Sequence, residues 1–136
     1  MKNTKSEHKD IKIVCPEDCG NAPKKIVLKD FIIALAKKDV SFIFENLSDD
    51  VQWNKIGREK IQGKDQFADY LQHMKDRAVR EVQISNIITH GRNGAVNGTI
   101  LLEDNRRLEF CEVYMFTSAG KNSKIKEITS YVIEIE

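Results

Sequence analysis

The chain has 136 residues, enough for one domain of ordinary size, and 40% of them are hydrophobic, which suffices for a real core. Its 22 basic residues nearly cancel its 21 acidic ones, leaving a formal charge of +1. Such a balance speaks against nucleic acid or an anionic membrane as the main partner, because both select basic patches.

Residues 1–22 read as an N-terminal extension and residues 23–136 as the domain proper. The extension is charged as far as Asp10, then holds a β-like run at residues 11–14, then a turn-rich stretch from Cys15 to Asn21. Asn21 followed by Pro23 predicts a helix start, with a capping side chain and a proline in the first turn. Over residues 23–38, Val27, Leu28, Phe31, Ile32, Ala34 and Leu35 recur at helical spacing. A second, shorter helix begins at Asp39 and stops at Ser48-Asp49-Asp50. Residues 51–54 predict a short strand and residues 57–63 a polar loop. Phe67, Tyr70, Leu71 and Met74 then form one face of a third helix.

After Arg80 the apolar period changes to two. Strands are expected over residues 82–88, 96–102, 108–116 and 125–135, joined by polar turns rich in Gly and Asn. Consecutive hairpins of this kind make an antiparallel meander, so the fold class is α+β. The last two strands are apolar on both faces: Leu108, Phe110, Tyr114 and Phe116 on one, Cys111, Val113 and Met115 on the other. Helices cover one face, and a partner subunit is the simplest cover for the second. Cys111, Val113, Met115, Tyr131 and Ile133 therefore form the expected homodimer surface.

No apolar run is long enough to span a bilayer, and no apolar segment follows the first lysines as in a secretory signal. The expected location is the cytoplasm, where Cys15, Cys19 and Cys111 are expected as thiols. Cys15-x-x-x-Cys19 matches neither a redox C-x-x-C pair nor a zinc knuckle. His8, His73 and His90 lack zinc-like spacing, so no metal or other cofactor is expected.

The order of elements resembles the nuclear transport factor 2-like proteins of the SnoaL-like and ketosteroid isomerase branch. The likeness is carried by residues 31–40, by Leu47-Ser48-Asp49-Asp50-Val51-Gln52-Trp53, by Ile56-Gly57 and by Gly63-Lys64-Asp65-Gln66-Phe67. The segment from Phe110 to Phe116, followed by Gly120 and Ile125, completes it. The resemblance implies a cone-shaped curved antiparallel sheet wrapped around three N-terminal helices, an α+β barrel roll with an apolar pocket at its wide end. It also implies frequent dimerisation through the outer sheet face. The fold hosts isomerases, hydrolases, dehydratases, cyclases and binding modules, and by itself selects none.

Ketosteroid isomerases pair a carboxylate base with two acidic hydrogen-bond donors. Carried over by position, the base falls on Asn54, the tyrosine donor on Phe31 and the acidic donor on Glu112. Two of these three roles are lost, so a working isomerase of the usual kind is not expected. Glu112 shares a face with Phe110 and Tyr114; it is either a pocket acid or base, or a salt-bridged or edge-exposed residue. Trp53 and Asn54 lie on the strand leading to the pocket mouth, with Trp53 a candidate for core as well as ligand contact. Tyr70 is a packing residue whose hydroxyl is a candidate for the cavity. By the resemblance, Ile128, Ser130 and Val132 line the pocket while Thr129, Tyr131 and Ile133 face outward. The leading expectation is a module that binds a small apolar molecule through Trp53, Asn54, Tyr70, Phe110, Glu112, Tyr114 and Ser130. The alternative is an isomerase, dehydratase or hydrolase with Glu112 as its acid or base.

Overall fold

Three helices and seven strands form among the described residues of the computed structural model, namely 11–16, 22–73 and 78–135. Helix α1 (Pro23–Lys37) opens on its proline, but the cap position belongs to Ala22, which offers no side-chain bond. The expected cap, Asn21, lies outside the described residues. α1 buries Leu28, Phe31, Ile32 and Ala34, and ends where Lys38 turns left-handed at φ 58. Asp39 then caps helix α2 (Val40–Glu45) by accepting from the Phe42 N–H at 3.2 Å. Helix α3 (Gly63–His73) buries Phe67 and Leu71, one turn apart on the face read from the sequence. Met74, expected on that face, lies outside the described residues.

The strands are β1 (Lys12–Val14), β2 (Leu47–Lys55), β3 (Lys60–Gln62), β4 (Val79–His90), β5 (Asn93–Leu102), β6 (Arg107–Phe116) and β7 (Ile125–Ile135). They form one curved sheet in the order β1-β4-β5-β6-β7-β2-β3. The meander β4 to β7 is antiparallel, as expected. The expected uniform direction is corrected at two places: β1 runs parallel to β4, and β2 parallel to β7. Hairpin signals encode only consecutive pairs. The direction of β2 against β7 depends on where the helices deliver the chain.

Two local expectations are also corrected. Ser48-Asp49-Asp50 does not stop the chain before a strand; it lies inside β2, with Asp49 and Asp50 exposed beside a register shift between Leu47 and Gln52. The expected polar loop contains β3, which folds back on β2 through Gly57 at φ +80. The β-like run in the extension is β1, an edge strand of the same sheet whose Ile13 pairs with Val82.

Period two along β6 sets up everything functional. Leu108, Phe110, Glu112, Tyr114 and Phe116 are buried on the concave face, while Cys111 and Val113 are exposed on the convex one. On β7, Ile128 and Ser130 are buried likewise. The convex face keeps Val113, Tyr131 and Ile133 at 44%, 48% and 63% exposure. Cys111 is a free, exposed thiol. Cys15 is disulfide-bonded, which corrects the expected thiol there, and Cys19 lies outside the described residues. A compartment argument states an average over proteins and does not decide the state of one cysteine. Among the described residues no helix is long and apolar enough to cross a membrane.

Candidate functional site

The concave face of three neighbouring strands carries one row of residues: Lys55 on β2 pairs with Ser130 on β7, which pairs with Glu112 on β6. The Ser130 hydroxyl donates to Glu112 Oε2 at 2.7 Å. Tyr114, two residues along the same face, donates its O–H to Glu112 Oε1 at 2.5 Å. The Trp53 indole N–H donates to Ser130 Oγ at 2.7 Å.

The direction of this relay is fixed by chemistry. An indole N–H only donates, so Ser130 must accept from Trp53 and spend its single proton on Glu112. Glu112 is thus an acceptor at both oxygens. It is 7% exposed, and none of the ion pairs among the described residues includes it. The salt-bridged and edge-exposed readings of Glu112 are therefore set aside. Burial pushes the Tyr114 phenol well above its ordinary value of 10.0, and the charge and hydrogen bond of Glu112 push it the same way. Tyr114 is held neutral and donating.

In front of Glu112 lies a cavity of about 130 Å³. Ile32, Leu35 and Ala36 of α1 form one wall, at the i, i+3, i+4 spacing of a single helix stripe. Phe110 and Leu108 of β6 and Ile100 of β5 form the sheet side, and Trp53 adds a third wall. Trp53 is itself clamped, stacked on Phe67 at 4.7 Å and edge-on to Tyr70 at 5.2 Å. Lys55, Arg58 and Glu134 are the other charged residues of the lining; Arg58 and Glu134 are exposed and mark the open side.

With that geometry in view, the sequence model of the SnoaL-like domain matches residues 28–128. The chain belongs to the SnoaL-like domain family. Solved structures agree on the fold. An NTF2-like protein of unknown function from Burkholderia pseudomallei superposes with a TM-score of 0.68 at 17% identity, covering 82% of this chain and 92% of that one. A provisionally named ketosteroid isomerase from Kribbella flavida gives 0.71 at 15% identity, over 84% and 80% of the two chains. A provisionally named SnoaL-like polyketide cyclase from Shewanella denitrificans gives 0.68 at 14%, over 81% and 90%. No curated protein matches the chain significantly. The curved, unclosed seven-stranded sheet is the cone of this family.

Within this SnoaL-like domain the residues singled out from the sequence separate into three groups. Trp53, Phe110 and Glu112 line the cavity, as does Val132. Tyr114 and Ser130 are not lining residues but stand behind them: Tyr114 bonds Glu112, and Ser130 bonds both Glu112 and Trp53. Asn54 and Tyr70 are not lining residues: alternation on β2 turns Asn54 away from the face of Trp53 and Lys55, and Tyr70 packs on the Trp53 ring. Phe31, which stands where a steroid isomerase has its tyrosine, is fully buried edge-on to Tyr114. Lys55 and the α1 stripe were missed by the sequence reading. Lys55 was within its reach, since it sits two residues past Trp53 on the same strand. Among the described residues no cluster of His, Cys, Asp and Glu is fit to hold a metal; His73 bonds the Asp69 carbonyl and His90 is exposed.

Proposed function

We propose that this SnoaL-like domain binds a small, mostly apolar molecule bearing one hydrogen-bond donor, with that donor on Glu112. The observation that carries this reading is a buried carboxylate in the wall of a mostly apolar cavity, paired to no cation among the described residues. An ionised carboxyl has about four acceptor sites, and Tyr114 and Ser130 take two of them. The remaining acceptor capacity is satisfied by water or by a ligand. An apolar cavity of about 150 Å³ holds a benzene-sized molecule, so about 130 Å³ suits a single small ring.

Trp53 is the only tryptophan in the chain, and its indole N–H resonance reports on this wall alone. Titration with 4-methylphenol is expected to shift that resonance saturably. Ala36→Phe, which fills the cavity from α1, is expected to weaken the binding at least tenfold. A shift that never saturates, or saturates equally in the filled variant, would remove the cavity as a binding site.

A second reading is supported by the rigidity of Glu112, whose two oxygens are held by fixed donors. Such a carboxylate suits a proton shuttle in an isomerase, or an acid or base in a dehydratase or hydrolase. In the isomerase case one carboxylate takes a proton from one carbon of an unsaturated ketone and returns it to another. Conversion of 3-cyclohexenone to 2-cyclohexenone, lost in Glu112→Gln, would favour it. Absence of turnover in the presence of measured binding leaves the binding module.

The same proposal includes a homodimer through the convex face, supported by its exposed Val113, Tyr131 and Ile133. Light scattering at micromolar concentration is expected to give twice the chain mass, and Val113→Asp to return it to one chain without loss of 4-methylphenol binding. A wild-type monomer under those conditions ends the dimer proposal.

A further inference from the structure

The charges along the cavity are sorted by depth. Glu112 is the buried anion. Lys55 and Arg58 lie toward the open side, and among the described residues neither takes part in an ion pair. Glu134, the third charged group of the lining near the opening, is instead faced by Arg106 at 3.8 Å. The opening therefore presents two cations that no carboxylate of the described residues pairs with.

The placement of Lys55 is built rather than incidental. The Lys55 Nζ lies 4.6 Å from the centre of the Trp53 ring and 5.2 Å from that of Tyr70. Two aromatic faces hold the ammonium beside the cavity without neutralising it. Arg58 follows in a tight turn, its backbone N–H donating to the Lys55 carbonyl at 2.9 Å, and its side chain joins the cavity lining. Lys55 and Glu112 belong to one cross-sheet row with Ser130 between them. Strands lie about 4.8 Å apart, so the two backbones are roughly 10 Å apart. Both side chains project from one face of the sheet, so one small ring can meet them with different substituents.

We infer that the ligand is a small cyclic organic acid, its anionic group between Lys55 and Arg58, its ring against Trp53 and Phe110, and a hydroxyl donating to Glu112. This rests on the cavity being the binding site proposed above and adds the ligand's charge and its orientation. A cationic ligand would have to pass two like charges to reach Glu112. A neutral one would leave both cations facing water.

Three probes sharing one 4-substituted phenol ring separate the cases in the same indole titration: 4-hydroxyphenylacetate, 4-methylphenol and tyramine. The anion is expected to bind about tenfold more tightly than 4-methylphenol, the gain of two partly exposed ion pairs, and tyramine to bind more weakly than the anion. The gain should shrink in high salt. In Lys55→Met combined with Arg58→Met, the ratio of the two affinities should fall to about one. Arg58→Glu alone, in an exposed turn and outside the contact of Lys55 with the two rings, should lower that ratio severalfold even if the Lys55 change disturbs the stack. An anion that binds no tighter than 4-methylphenol, a tighter tyramine, or a ratio that survives the substitutions overturns the inference while leaving the cavity a binding site. Failure of all three probes overturns both.

Discussion

Gly98→Ala is expected to destabilise the domain by about 3 kcal/mol, at the upper end for forcing an extra carbon into a packed interior. A Cβ at residue 98 would stand 2.0 Å from the Gln83 carbonyl oxygen, 3.0 Å from the Gln83 carbonyl carbon and 3.1 Å from the Ile84 Cα. All three obstacles are backbone, so no rotamer change relieves them. Gly98 pairs with Ile84 across β4 and β5, and the register of that pair shifts between Ile84 and Asn86. The missing side chain lets the two strands approach closely at that irregularity. Gly94→Ala is the control. Its nearest obstacle is Leu28 Cδ1 at 2.7 Å, the end of a movable side chain, with the next atoms at 3.4 Å. Urea unfolding of both variants should show Gly98→Ala as the costlier by at least about 1.5 kcal/mol. Equal losses would mean that glycine's general effect in strands, not the close approach, accounts for the cost.

The parts of the fold legible in the sequence are those written by local period. The alternation Leu108, Phe110, Glu112, Tyr114, Phe116 places five side chains on one face, and all five are buried. The last strand runs from Ile125 to Ile135 as read. Features set by distant partners were not legible. β3 is three residues long and mostly polar, and it exists because β2 offers an edge to pair with. Asp49 and Asp50 look like a helix stop, yet their exposed positions on β2 tolerate them.

The site shows the same division. Glu112 and Tyr114 share a face by period alone, so their meeting follows from the sequence of one strand. The Trp53–Ser130 bond joins residues 77 apart and needs the parallel β2–β7 pair, which no hairpin signal announces. Asn54 failed as a lining residue for a related reason. A positional carry-over fixes the strand but not which neighbour faces inward, and here the inward positions are Trp53 and Lys55.

Tyr114→Phe is expected to cost about 2 kcal/mol at neutral pH, the usual worth of a hydrogen bond to a charged acceptor when its loss leaves that acceptor buried. The ring itself is conserved by the change, so its edge-on contact with Phe31 remains. The cost should depend on pH. Burial first, and Glu112 second, raise the phenol above 10.0 in the folded state, while the unfolded chain keeps an ordinary tyrosine. Between those two values the folded state holds a proton that the unfolded state has released. The stabilisation from Tyr114 is therefore complete below about pH 10 and is lost as pH rises toward the folded value, by up to about 1.4 kcal/mol per pH unit. Chemical unfolding from pH 8 to 11 should show the wild type converging on Tyr114→Phe at the alkaline end. Two curves that stay parallel would mean that the phenol is not buried neutral against Glu112, and the relay that holds the carboxylate toward the cavity would lose one of its two anchors.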